Sequence, residues 1–175
     1  LRQGPVTEAM IKEMDFIYIL LVCTGNTCRS PMAEGLAKKM FADALGCSVH
    51  KLESKGFYIE SAGTSAYHGT KASKNSILAM KERNIDITSH MPQPVTLNRI
   101  DSADFIFTMT QSHRSTLLQW NPFAESRVRL LHPEGKNIAD PVGGDLGMYE
   151  ACAIEIEQSL KVVVNQVLEE LGYKK

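Results

Sequence analysis

Cysteine is scarce in this chain: Cys23, Cys28, Cys47 and Cys152 are the four in 175 residues, and their spacing is irregular. That pattern excludes a disulfide-stapled scaffold. No charge sign dominates either. Lys plus Arg is 19 and Asp plus Glu is 20, a net charge of −1. The balance leaves no basic footprint for nucleic acid and no polybasic contact for a membrane surface. Long apolar runs are missing: the longest, Phe16 to Cys23, falls far short of the ~20 residues a bilayer crossing needs. The histidines (His50, His68, His90, His113 and His132) show no H-x3-H or H-E-x-x-H spacing, so no metal site is expected. Neither G-x4-G-K-[ST] nor G-x-G-x-x-G occurs, so a nucleotide-binding reading lacks its defining residues, and no cofactor is expected. The chain does not open on the charged, apolar and small-residue segments of a secretory signal, which points to the cytoplasm.

What is present is an alternation of short apolar runs with helical patterns, and no repeat or linker interrupts it between residues 16 and 173. Phe16–Val22, Tyr58–Ala62, Ala103–Met109 and Val128–Leu131 read as strands. Helices are expected from Ser30 to about Leu45, over Ser73–Asn84, from about Gln111 to Trp120, and from about Leu146 to Leu171. Ser30 suits the N-cap of the first and Pro31 its N1 position, with Gly46 as the stop. Ile77, Leu78 and Met80 are the expected inner side of the second. The last carries Tyr149, Cys152, Ala153, Ile156, Leu160, Val163, Val164, Val167 and Leu171 in steps of three and four, one apolar stripe. Strands that are apolar throughout and separated by helices imply a parallel sheet covered on both faces. The expected fold is therefore α/β, a small doubly wound four-stranded parallel sheet, with ligands at the carboxyl ends of the strands.

At the end of the first strand stands Cys23-Thr24-Gly25-Asn26-Thr27-Cys28-Arg29-Ser30. A loop entering a helix N-terminus exposes unpaired N–H groups and the positive end of the helix dipole, so it cradles anions. Gly25 suits a backbone that turns successive N–H groups toward one point. Arg29 adds a planar fork for two oxygens of a tetrahedral oxyanion. The same field favours a thiolate at Cys23, and Ser30 has a hydroxyl within reach of that sulfur.

The run VCTGNTCRSPMAEG resembles the opening of the low-molecular-weight protein tyrosine phosphatase family, V-C-x-G-N-x-C-R-S-P, and the likeness extends from Phe16 to an Asp-Pro at Asp140-Pro141. Residues 15–175 then form the phosphatase domain. Residues 1–14 are an N-terminal extension, a tag remnant or the end of a preceding domain; LRQGPVTEAMIKE is similar to the tail of a threonylcarbamoyl-AMP synthase. The resemblance implies that Cys23 is the nucleophile of a phosphocysteine intermediate and that Arg29 and residues 24–30 hold the phosphate. It makes Asp140 the general acid and then the base, and Asn26 the left-handed residue shaping the loop. Ser61 and His90 become its supporting network, and Cys28 a partner of Cys23 in a reversible disulfide. No metal is implied.

Three activities share this scaffold. A thioredoxin-coupled arsenate reductase needs two further redox cysteines, and between Cys47 and Cys152 there are none. Tyrosine phosphatases of the family carry a bulky aliphatic residue where this chain has Thr27, and aromatics after Asp-Pro where it has Val142-Gly143-Gly144. GNTCRSPMAE is similar to the bacterial protein arginine phosphatases, although Val142 stands where those favour an aromatic. Thr27 and Val142 are therefore the expected specificity positions. Protein phosphoarginine is the favoured substrate and phosphotyrosine the alternative; the oligomeric state is not legible.

Overall fold

The computed structural model describes residues 16–173; the expected extension over residues 1–14 lies outside them. Four strands form one sheet: β1 (Ile17–Cys23), β2 (Phe57–Gly63), β3 (Phe105–Thr108) and β4 (Val128–Leu130). Their order is β2-β1-β3-β4 and every pairing is parallel, with Ile17 opposite Phe57 and Cys23 opposite Gly63. Among the described residues five α-helices surround the sheet: α1 (Arg29–Ala44), α2 (Lys74–Lys81), α3 (Leu97–Ser102), α4 (Gln111–Trp120) and α5 (Leu146–Glu170).

Alternation along β1 divides the core. Ile19, Leu21 and Cys23 face the layer that holds Met32, Leu36 and Phe41 of α1, Met80 of α2 and the apolar stripe of α5. Tyr18, Leu20 and Val22 face the opposite layer, with Ile100 of α3 and Leu117 of α4. Each face of the sheet thus has its own buried cluster, which is why the strands read as apolar throughout. Because β1 pairs with β2 on one side and β3 on the other, the strand order reverses at β1, and its carboxyl end is the place where such sheets open a crevice.

Several boundaries differ from the sequence reading. The third strand begins at Phe105 rather than Ala103, since Ala103 caps the unexpected helix α3, whose own N-cap is Thr96. On α2 the buried positions are Ser76, Ala79 and Met80; Ile77 is only partly buried against the core and Leu78 is half-buried. On α5 every expected core position is buried except Leu171, which lies just past the helix and packs partly against the core.

Candidate active site

Residues 24–28 carry the chain from the end of β1 into α1. Side chains at four other N-caps accept a hydrogen bond from the first helical turn: Ser73, Thr96, Thr110 and Asp145. The N-cap of α1 is Cys28, which makes no such bond. No side chain caps its first turn, where the Ser30 N–H is directed at the Cys23 sulfur, and such a helix N-terminus favours an anion. This corrects the assignment of Ser30 as the cap. Its hydroxyl lies instead 2.9 Å from the Cys23 sulfur and accepts from Asn26 Nδ2 at 2.8 Å.

Asn26 is the left-handed residue of the loop, with φ of 55°, and it is fully buried. Gly25 is not left-handed, and a Cβ there would make only an ordinary contact with Thr27 Oγ1, so the turn does not depend on it as expected. Asn26 is bonded on all sides. Its N–H points at Cys23 Sγ (3.3 Å), its Nδ2 also donates to Ser61 Oγ (2.9 Å), and its Oδ1 accepts from Gln93 N (2.9 Å). His90 Nε2 lies 2.9 Å from the Asn26 carbonyl oxygen, and Ser61 donates onward to Glu34 Oε2 at 2.7 Å. A polar network thus over-determines a backbone conformation that a non-glycine residue adopts at some cost. Behind it lies a groove of about 640 Å³ lined by Glu34, Glu60, His90, Gln93 and Arg99.

Cys23 is 3% exposed. Burial pushes its thiol up from the ordinary value, opposed by hydrogen bonds from Ser30 and Asn26 and by the Arg29 charge. The expectation of a depressed thiol is corrected accordingly: in this resting arrangement desolvation outweighs the loop's field. Arg29 is turned elsewhere. Its Nη1 donates to the Ile138 carbonyl at 3.1 Å and its Nη2 to Asp140 Oδ2 at 2.6 Å. The structure therefore brings Asp140 to Arg29 across 111 positions, with the carboxylate side chain 40% exposed.

Among the remaining expected residues, Thr24 is exposed and Thr27 half-buried beside the loop. The carbonyl of Thr27 accepts from Ser73 N at 2.8 Å, and its hydroxyl lies 3.5 Å from Cys28 Sγ. Cys28 is a free thiol 3.4 Å from Tyr149 Oη and 3.6 Å from Ser73 Oγ; Cys23 is free as well. Val142 is 66% exposed, and its N–H donates to Asp140 Oδ1 at 3.2 Å. Among the described residues no group of three or more His, Cys, Asp or Glu side chains is placed to hold a metal ion, and no helix is long and apolar enough to cross a membrane.

Sequence reasoning missed four participants. Glu34 lies inside the run VCTGNTCRSPMAEG without a role being assigned to it, Tyr149 reads only as core, and Gln93 carries no motif signal. His113, buried on α4, places Nε2 2.8 Å from Thr24 Oγ1. The cue available was its place three residues after the cap Thr110, in the loop that follows β3.

Residues 18–173 match the family described as low molecular weight phosphotyrosine protein phosphatase. A low molecular weight protein-tyrosine-phosphatase from Acinetobacter johnsonii is 34% identical over 82% of this chain and 93% of its own length. A protein-arginine-phosphatase from Bacillus subtilis is 31% identical over 85% of this chain and 95% of its own. Among solved structures, the YwlE arginine phosphatase from Geobacillus stearothermophilus superposes with a TM-score of 0.76 at 29% identity, covering 91% of this chain and 98% of that one.

Proposed function

Because this chain belongs to the low molecular weight phosphotyrosine protein phosphatase family, we propose that it removes phosphate from protein phosphoarginine through a phosphocysteine on Cys23. The family hydrolyses phosphorylated proteins; the choice of arginine rests chiefly on Thr27. This half-buried residue puts a small hydroxyl on the loop beside the nucleophile, where an aromatic leaving group would favour apolar bulk. The glycines Gly143 and Gly144 after Pro141-Val142 leave that wall without aromatic rings. A phosphoguanidinium is planar, weakly hydrated and rich in N–H donors, so a hydroxyl and a carboxylate suit it.

In this reading the phosphoryl group enters over the uncapped first turn of α1 and replaces Asp140 as the acceptor of Arg29 Nη2. The freed carboxyl group then faces the leaving nitrogen. Cys23 first gives up its thiol proton to solvent, helped by the Ser30 and Asn26 hydrogen bonds and the Arg29 charge, and the thiolate attacks phosphorus as the N–P bond breaks. Asp140 supplies the proton to the departing guanidine. Asp140 next accepts a proton from water as that water attacks the phosphocysteine, releasing phosphate and the thiolate. Loop N–H groups and Arg29 stabilise the charge throughout. Asn26, Ser61 and His90 hold the loop's shape, and Cys28 stands ready to close a disulfide on Cys23 under oxidation.

The experiment is a parallel measurement of kcat/KM on phosphoarginine and phosphotyrosine peptides. A higher value for phosphoarginine is expected. A wild type that prefers phosphotyrosine overturns the arginine reading and leaves the tyrosine activity of the same scaffold.

A further inference from the structure

His113 is 6% exposed and sits in the first turn of α4. Both ring nitrogens are engaged: Nδ1 lies 3.0 Å from Thr110 Oγ1 and Nε2 2.8 Å from Thr24 Oγ1. Thr110 Oγ1 also accepts the backbone N–H of His113 at 3.3 Å, as the cap of the helix. A hydroxyl accepts and donates at once, so Thr110 can still give its own proton to Nδ1, and the tautomer is assigned on that basis. A neutral imidazole has one donor and one acceptor. Nδ1 being the acceptor, Nε2 carries the proton and donates it to Thr24. Neutrality itself follows from surroundings: burial and the nearby Arg29 charge lower the ring's proton affinity, to a pKa of about 4.

Thr24 Oγ1 therefore accepts from His113, which leaves its own proton free to be donated away from α4. Thr24 immediately follows Cys23 and is exposed at the mouth of the loop. Its backbone is fixed too, because its carbonyl accepts from Ser65 N at 2.9 Å. We propose that His113 is a positioning residue that presents the Thr24 hydroxyl as a fixed hydrogen-bond donor to the bound phosphoryl group. Capping α4 requires only Thr110 and the backbone. The far nitrogen, reaching an exposed loop hydroxyl, is what a purely structural histidine would not need. This deepens the phosphatase reading given above and rests on it.

The test is a double-mutant cycle on inhibition by inorganic phosphate, with the same variants assayed for kcat/KM on an aryl phosphate and for their urea unfolding midpoints. Thr24→Val keeps the shape and removes the hydroxyl, so the phosphate inhibition constant should rise about tenfold, the scale of one hydrogen bond to a charged group. Thr24→Ser should recover part of that loss. His113→Leu should raise the constant comparably, the double variant no further than either single one, and His113→Gln, which keeps a donor, less than His113→Leu. Additive effects, or an unchanged constant in Thr24→Val, overturn the proposal. Should His113→Leu fail to fold, the cycle is run with His113→Gln, whose effect on the constant must vanish on the Thr24→Val background. Failure of the phosphatase reading looks different: the wild type then has no aryl phosphate turnover that Cys23→Ser abolishes.

Discussion

In the proposed reaction, Thr27 and Asp140 carry the choices made at the scale of single residues. An isoleucine at position 27 would replace a hydroxyl with apolar bulk against the leaving group. Loss of one hydrogen bond to a charged group costs about 1.5–3 kcal/mol, so kcat/KM for phosphoarginine should fall by roughly one to two orders of magnitude. The value for phosphotyrosine should hold or rise. The ratio of the two, measured in wild type and Thr27→Ile, checks this; an unchanged ratio removes Thr27 as the determinant. Asp140 has a different signature. Only a poor leaving group depends on the acid's proton, so Asp140→Asn should slow phenyl phosphate far more than a nitroaryl phosphate. Equal losses would show that Asp140 is not the acid, and that its bond to Arg29 is its whole contribution.

Where β2 meets the loop, two elements come unusually close. Gly63 pairs with Cys23, and its neighbours Thr64 and Ser65 donate their N–H groups to the carbonyls of Cys23 and Thr24 at 2.9 Å each. A Cβ at Gly63 would collide with the Thr24 carbonyl oxygen, and would sit 2.9 Å from Ala66 Cβ and 3.0 Å from Asn26 N. Two of those three atoms are loop backbone, which cannot swing aside as a side chain can. Gly63→Ala should therefore cost about 1–3 kcal/mol in urea unfolding, the usual range for overpacking. It should also lower kcat/KM on an aryl phosphate at least tenfold, since the displaced backbone atoms belong to Thr24 and to Asn26, which shapes the loop. A stable variant with full activity would mean that the loop relaxes freely around position 63. The same tight element packing explains why α1 can dispense with a capping side chain: the loop is held from β2 and from the network around Asn26.

For the molecule as a whole, the neutral burial of His113 links the active end of the sheet to stability against acid. Its folded pKa of about 4 lies below the ordinary value of 6.5. Between those values the unfolded chain binds a proton that the folded chain refuses, so stability rises with pH across that window. The contribution of the neutral ring is complete above about 6.5 and is lost progressively as pH falls toward 4. Urea midpoints taken between pH 7 and pH 4.5 should fall more steeply for the wild type than for His113→Gln, which has no such group. Parallel slopes would show that His113 protonates in the folded state as easily as in the unfolded one.

Sequence alone determined those features whose parts are adjacent in the chain. The apolar run of β1, the loop that enters α1 and the order of Cys23, Arg29 and Ser30 lie within fifteen residues, so strand burial, dipole direction and side-chain reach follow from spacing. The stripe on α5 was equally legible, because one helix repeats its own core face. Tertiary structure alone decided the rest. The depth of Cys23, which raises its thiol, is set by layers assembled from the whole chain. Ser30 serves the sulfur rather than the cap because Asn26, held by Ser61, His90 and Gln93, fixes where its amide points. His113 and Thr24 meet across 89 positions and Arg29 and Asp140 across 111, through strands whose order no local pattern encodes. Hydrogen bonds of a few ångströms between such distant residues exist only once the sheet has placed its carboxyl ends side by side.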